Sequence, residues 1–152
     1  MIPFYAKCPD IGFDETRFVN ASGFNYLPDD NYAFIEYYCE KPDCDCRRVI
    51  VIVTSNGNGN KILATINYGW ESPNFYAKWM GNKDDVKDMV GATLEPFGDQ
   101  TNLSRYLLEL FKLLVKDESY VERLRKHYEM FKRAIKDDHS RAKKARVKSK
   151  RK

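Results

Sequence analysis

The sequence predicts an α+β domain: an antiparallel sheet of three to five strands, packed by short helices and a C-terminal helical hairpin. Three observations lead there. Between Tyr32 and Trp70 the apolar residues come in short β-branched and aromatic runs suited to strands. The turn-rich stretch "SNGNGN" separates two of those runs as a hairpin connection does. After Trp70 the apolar spacing changes from two to about 3.6, the repeat of an amphipathic helix. A chain of 152 residues suits one core, and its hydrophobic content of 43% is too high for global disorder.

Taken in order, "ETRFVN" reads as a strand near Thr16 to Asn20, followed by the loop "ASGFNYLPDDN". "YAFIEYYC", "RRVIVIVT" and "KILATINYGW" give three successive antiparallel strands, the second apolar on both faces as in the middle of a sheet. Ser72 and Pro73 then suit the cap and first turn of a short helix with Phe75, Tyr76, Trp79 and Met80 on one face and Gly81 at its end. "NKDDVKDMVGA" predicts a second short helix stopped by Gly91, and "TLEPFGDQT" a loop. Leu103, Tyr106, Leu107, Leu110, Phe111 and Leu114 form a helical stripe starting near Asp99 or Thr101. Asp117 caps a second long helix whose stripe is Tyr120, Val121, Leu124, Tyr128, Phe131 and Ile135.

Three of the four cysteines, Cys39, Cys44 and Cys46, stand as C-x4-C-x-C at the turn between two strands. No apolar run is long enough to span a bilayer, and the first residues lack the pattern of a secretory leader. The expected compartment is therefore the cytoplasm, where clustered cysteines are read first as metal ligands or free thiols and then as disulfides. A hairpin end lets both arms aim thiolates at one point, and zinc takes four ligands tetrahedrally. Cys8, in "KCPD", is the candidate fourth, giving a closed structural zinc site of Cys8, Cys39, Cys44 and Cys46 with Lys7, Lys41, Arg47 and Arg48 offsetting its negative charge. His127 is the alternative fourth ligand, although its place on the helical stripe equally suits a satisfied core imidazole. Reduced cysteines without metal, or a disulfide from Cys8 to the hairpin, remain open from the sequence.

A four-cysteine site leaves no open coordination position for catalysis. No Ser/His/Asp order, P-loop or G-x-G-x-x-G is present, and "NGNGN" lacks the helix a phosphate cradle needs. The enzyme alternative rests on Glu15, Arg17, Glu71 and His127 converging in a polar cleft, for action on nucleic acid or protein. Glu36, a carboxylate in an otherwise core-like strand, is expected either to face solvent or to pair with an arginine such as Arg17 or Arg48. Trp70, beside Glu71, reads as a core aromatic more readily than as a ligand platform.

Charge divides the chain at about residue 135. Residues 136–152 carry nine Lys/Arg and two Asp, a net +7, while residues 1–135 carry 17 basic and 20 acidic side chains, a net −3. The expected organisation is a zinc-stabilised domain over 1–135 and a basic, partly disordered tail over 136–152, with a basic helical arm as the alternative if the last helix continues. Arg141, Lys143, Lys144, Arg146, Lys148, Lys150, Arg151 and Lys152 are the candidate contacts to nucleic acid phosphates or to an acidic protein. The tail has no aromatic to stack on bases, so base selectivity is not implied.

"CPDIGFDETRFV", "YCEKPDCDCRRV", "INYGWES" and "YVERLRKHYEMFK" together resemble an uncharacterised prokaryotic protein family with C-P-x5-E-T-R, C-D-C-R-R, Y-G-W-E and R-L-x-x-H-Y-x-x-F motifs. The resemblance spans about residues 8–132 and implies a coherent domain with the four cysteines grouped. Some members carry a SEC-C-type cysteine motif at the C-terminus; this chain departs there, having no cysteine after Cys46. The resemblance implies no activity.

Overall fold

A computed structural model describes residues 1–24 and 26–150. In chain order the elements are β1 (Ile2–Pro3), α1 (Pro9–Gly12), β2 (Arg17–Ala21), β3 (Asp30–Tyr38), β4 (Arg48–Ser55), β5 (Ala64–Gly69), α2 (Pro73–Met80), β6 (Gly91–Leu94), α3 (Ser104–Leu114) and α4 (Glu118–Lys150). The strands make one antiparallel sheet in the order β1-β3-β4-β5-β6, with β2 also pairing β3. The two-residue β1 brings the strand number to six. It pairs Tyr37 and Tyr38, while β2 pairs Asp30 to Phe34, so both occupy the edge of β3 that β4 leaves free.

Alternation fixes which residues meet the helices. Tyr32, Phe34, Glu36 and Tyr38 of β3 share one face, and the register places Phe34 opposite Val53 and Glu36 opposite Val51. Val51 in turn faces Ile66 of β5, and all these side chains are buried. The α3 stripe of Leu107, Leu110 and Phe111 and the α4 stripe of Tyr120, Leu124, Phe131 and Ile135 complete that core. A turn in which the Thr101 hydroxyl accepts from the Leu103 N–H at 3.2 Å leads into α3, and Asp117 starts α4 by accepting from the Ser119 N–H at 3.0 Å.

The other face is covered at the β5 end by α2, where the Ser72 hydroxyl accepts from the Phe75 N–H at 3.2 Å and Gly81 closes the helix at φ 76°. Tyr76, Val86 and Met89 form a small separate core there. The segment expected as a second short helix holds only a three-residue 3₁₀ turn, Val86–Asp88. Gly91, at φ 66°, begins a strand instead of ending a helix, and Leu94 pairs with Ile66. Backbone pairing along β5 thus claims residues whose sequence reads as loop.

Two further differences matter for function. Glu36 neither faces solvent nor meets an arginine: period-two alternation turns it inward with Phe34 and Tyr38, and it is 5% exposed. Residues 136–150 continue α4 without a break, and every one of them is exposed. At 1.5 Å per residue this arm extends about 22 Å beyond the core. Arg151 and Lys152, expected as part of the cationic tail, lie outside the described residues.

Candidate metal centre

Tyr38 ends β3 and the next residue is Cys39, so the first thiol leaves the sheet at a position its strand fixes. Cys44 follows a turn closed by its own N–H donating to Lys41 O at 3.2 Å. Cys46 is 2% exposed and packs against the core just before β4. The ligand atoms of Cys39, Cys44 and Cys46 all lie within 4.8 Å of one another, close enough to hold a metal ion. Neither Cys8 nor His127 belongs to this group. Cys8 caps α1, its N–H donates to Phe4 O at 3.0 Å, and burial raises its thiol pKa.

The three thiols are not equivalent. Burial opposes ionisation of Cys39, but the Lys41 N–H, the Cys44 thiol and the Lys132 ammonium outweigh it and lower its pKa. Cys46 is pushed up to about 12, first by burial and then by the charge of Cys44 and Cys39. A metal binding here would therefore displace the Cys46 proton, as thiolate ligation requires.

Side chains from α4 and α2 fasten the turn. Lys132, 8% exposed, donates from Nζ to Lys41 O at 2.5 Å and to Cys39 O at 3.2 Å. Arg47 adopts φ 43°, a conformation that a non-glycine residue holds only when its surroundings insist. They do: its N–H donates to Tyr128 Oη at 3.3 Å, its carbonyl accepts from Tyr76 Oη at 2.7 Å, and its guanidinium meets Asp45 and Glu71. Beside the cysteine turn opens a cavity of ≈ 660 Å³ walled by Pro42, Cys44, Tyr128, Lys132, Arg133 and Lys136 among others.

The residues of the possible polar cleft go to three places. Glu15 and His127 do meet, Nε2 lying 2.5 Å from Glu15 Oε2. Arg17 instead places its guanidinium over the Tyr120 ring at 4.5 Å, and Glu71 binds Arg47 at 3.2 Å. The second partner of His127 is Glu36, at 2.7 Å from Nδ1, and the Tyr38 hydroxyl donates to the same carboxylate oxygen at 2.7 Å. A carboxyl group stands at each ring nitrogen, an arrangement that favours the doubly protonated ring. Burial disfavours the imidazolium, but Glu36 and Glu15 outweigh it and raise the pKa of His127. Phe4 stacks on the ring at 4.2 Å, and the imidazole is 1% exposed. Both nitrogens are engaged and the ring is sealed, which makes this cluster a tie between the N-terminal segment, β3 and α4.

No protein-family model, curated protein or solved structure matches this chain. Among the described residues no helix is long and apolar enough to cross a membrane.

Proposed function

We propose that this protein is a small zinc-stabilised accessory module that grips nucleic acid through the basic arm of α4. The observation that carries the reading is the exposure of every residue from 136 to 150 on a continuous helix. Lys136, Arg141, Lys143, Lys144, Arg146, Lys148 and Lys150 lie on it, against Asp137 and Asp138, of which Asp138 is neutralised by Lys7 at 2.6 Å. Successive basic residues at helical spacing present charge around the whole rod, which suits a phosphate backbone followed along a groove without reading of bases. Three soft thiolates at a hairpin end favour zinc among abundant cytosolic metals, and the metal's part is to hold the turn against which α4 is seated.

The test is retention on duplex DNA and on RNA across a salt series. Binding should weaken by about 0.9 in log K per log unit of salt for each duplex phosphate contacted, and deletion of residues 136–152 should abolish it. Retention unchanged by the deletion, or binding only to an acidic protein, overturns the reading. Elemental analysis of the purified protein should find one zinc per chain.

A further inference from the structure

The three sulfurs leave a tetrahedral metal one donor short. Every His, Cys, Asp and Glu of the chain is among the described residues, and of these only Cys39, Cys44 and Cys46 form such a group. Metal sites in which the protein supplies three ligands place a molecule from outside in the fourth position. The surroundings of this group differ on its two sides. Cys46 is packed into the core, whereas Cys44 is both a member of the group and part of the cavity wall. A volume of ≈ 660 Å³ is in the range of small-molecule sites.

We propose that the metal held by Cys39, Cys44 and Cys46 takes as its fourth ligand the thiolate of a small acidic thiol, admitted through the cavity bounded by Cys44, Tyr128 and Lys136. The proposal rests on the metal-binding part of the function proposed above. Its ligand class follows from chemistry on both sides of the sulfur. A metal selected by three soft thiolates favours a fourth soft donor. A divalent metal with four thiolates carries a charge of about −2, and the Lys132 ammonium, bonded to the carbonyls of Cys39 and Lys41, stands beside it. Of the acidic residues around the cavity, Asp45 is already paired with Arg47 at 2.9 Å. With Lys132 set against the metal, Arg133 and Lys136 are the two cations of the wall left to meet carboxylates on the body of the thiol, beside Asp43 and Glu129.

Cobalt(II) tests this, because its visible bands report the donor set. The protein is loaded with Co(II), the metal-to-protein ratio is measured, and glutathione is titrated in. The expected result is a saturable shift of the bands in both the intact protein and Cys8→Ser, from the same starting spectrum. S-methylglutathione, which keeps the carboxylates and blocks the sulfur, should give no shift. Arg133→Ala and Lys136→Ala should each weaken glutathione binding by about two- to fivefold, the size of an exposed ion pair. A spectrum unmoved by glutathione, an equal shift with S-methylglutathione, or a starting spectrum altered by Cys8→Ser overturns the proposal while leaving the metal site standing. Absence of bound Co(II) and Zn(II) overturns the metal reading itself.

Discussion

His127 and Glu36, 91 residues apart in sequence, meet at 2.7 Å between the helix and the inner face of the sheet. Each lies on an apolar stripe that it interrupts with a polar group. Removing the imidazole leaves the Glu36 carboxylate buried with only the Tyr38 hydroxyl to satisfy it. Breaking one side of a buried pair costs about 3–5 kcal/mol. His127→Ala should therefore lower unfolding stability by about 3 kcal/mol in urea, whereas the double change His127→Leu with Glu36→Leu, which removes the unpaired charge, should lose less than His127→Ala alone.

The same cluster sets a pH window. The folded pKa of His127 is raised above the ordinary 6.5, so its contribution is complete below that value and is lost as pH rises through the higher folded pKa. Glu15 behaves oppositely: the hydrogen bond from His127, opposed by burial, lowers its pKa from 4.5, so its smaller contribution is present above that value and is lost as pH falls through the folded pKa. The groups facing the pair are Glu36 and the Tyr38 hydroxyl from the sheet, the Phe4 ring, and Arg123 and Lys126 near Glu15. The difference in melting temperature between the native protein and His127→Gln should be greatest between about pH 4.5 and 6.5 and shrink at higher pH. A difference that grows with pH above 6.5 would contradict the doubly bonded imidazolium.

Much of this was legible in residue order. Alternation from Tyr32 to Trp70 marked β3, β4 and β5, and the i, i+3, i+4 stripes marked α3 and α4, because those elements bury one face each and the pattern records it. The alternation also put Glu36 on the face of Phe34 and Tyr38, and helical spacing put His127 among Leu124 and Phe131. Joining those two facts would have found the pair, but Glu36 taken alone reads most easily as facing solvent, and His127 as a satisfied core imidazole whose partner the sequence does not name. Strand β6 left no such record: four half-buried residues at a sheet edge are held by pairing with β5, and backbone hydrogen bonds do not select side chains. Likewise Cys39, Cys44 and Cys46 share one short turn, so spacing sufficed to group them, whereas the place of Cys8 depends on how the N-terminal segment packs on Phe4 and His127.

Lys132 ties α4 to the cysteine turn through two carbonyls, and its stem is nearly covered. Lys132→Met keeps the stem's volume and removes the donor. Carbonyl oxygens of Cys39 and Lys41 then lose their partner, and the Cys39 thiolate loses a neighbouring positive charge. Residues that orient metal ligands in this way typically change affinity 10–100-fold, so Lys132→Met should weaken zinc by about tenfold in competition with a chromophoric chelator. Unchanged affinity would mean that the turn holds its shape without α4.

Gly69 gives a test that reaches the metal turn from the opposite side. A Cβ there would lie 2.0 Å from Met89 O and 2.6 Å from Tyr76 Oη, against backbone on one hand and a fully buried ring on the other. Tyr76 cannot yield freely, because its hydroxyl donates to Arg47 O at 2.7 Å and Arg47 is the strained residue after Cys46. Gly69→Ala should therefore cost about 1–3 kcal/mol, as overpacking does, measured by urea unfolding followed through Trp70, which adjoins the site. Part of that cost should appear as faster loss of zinc to a chelator, since displacing Tyr76 frees the Arg47 carbonyl and loosens the turn carrying Cys46. A variant that unfolds at the native urea concentration and releases metal at the native rate would show that Tyr76 does not couple the small core under β5 to the cysteines.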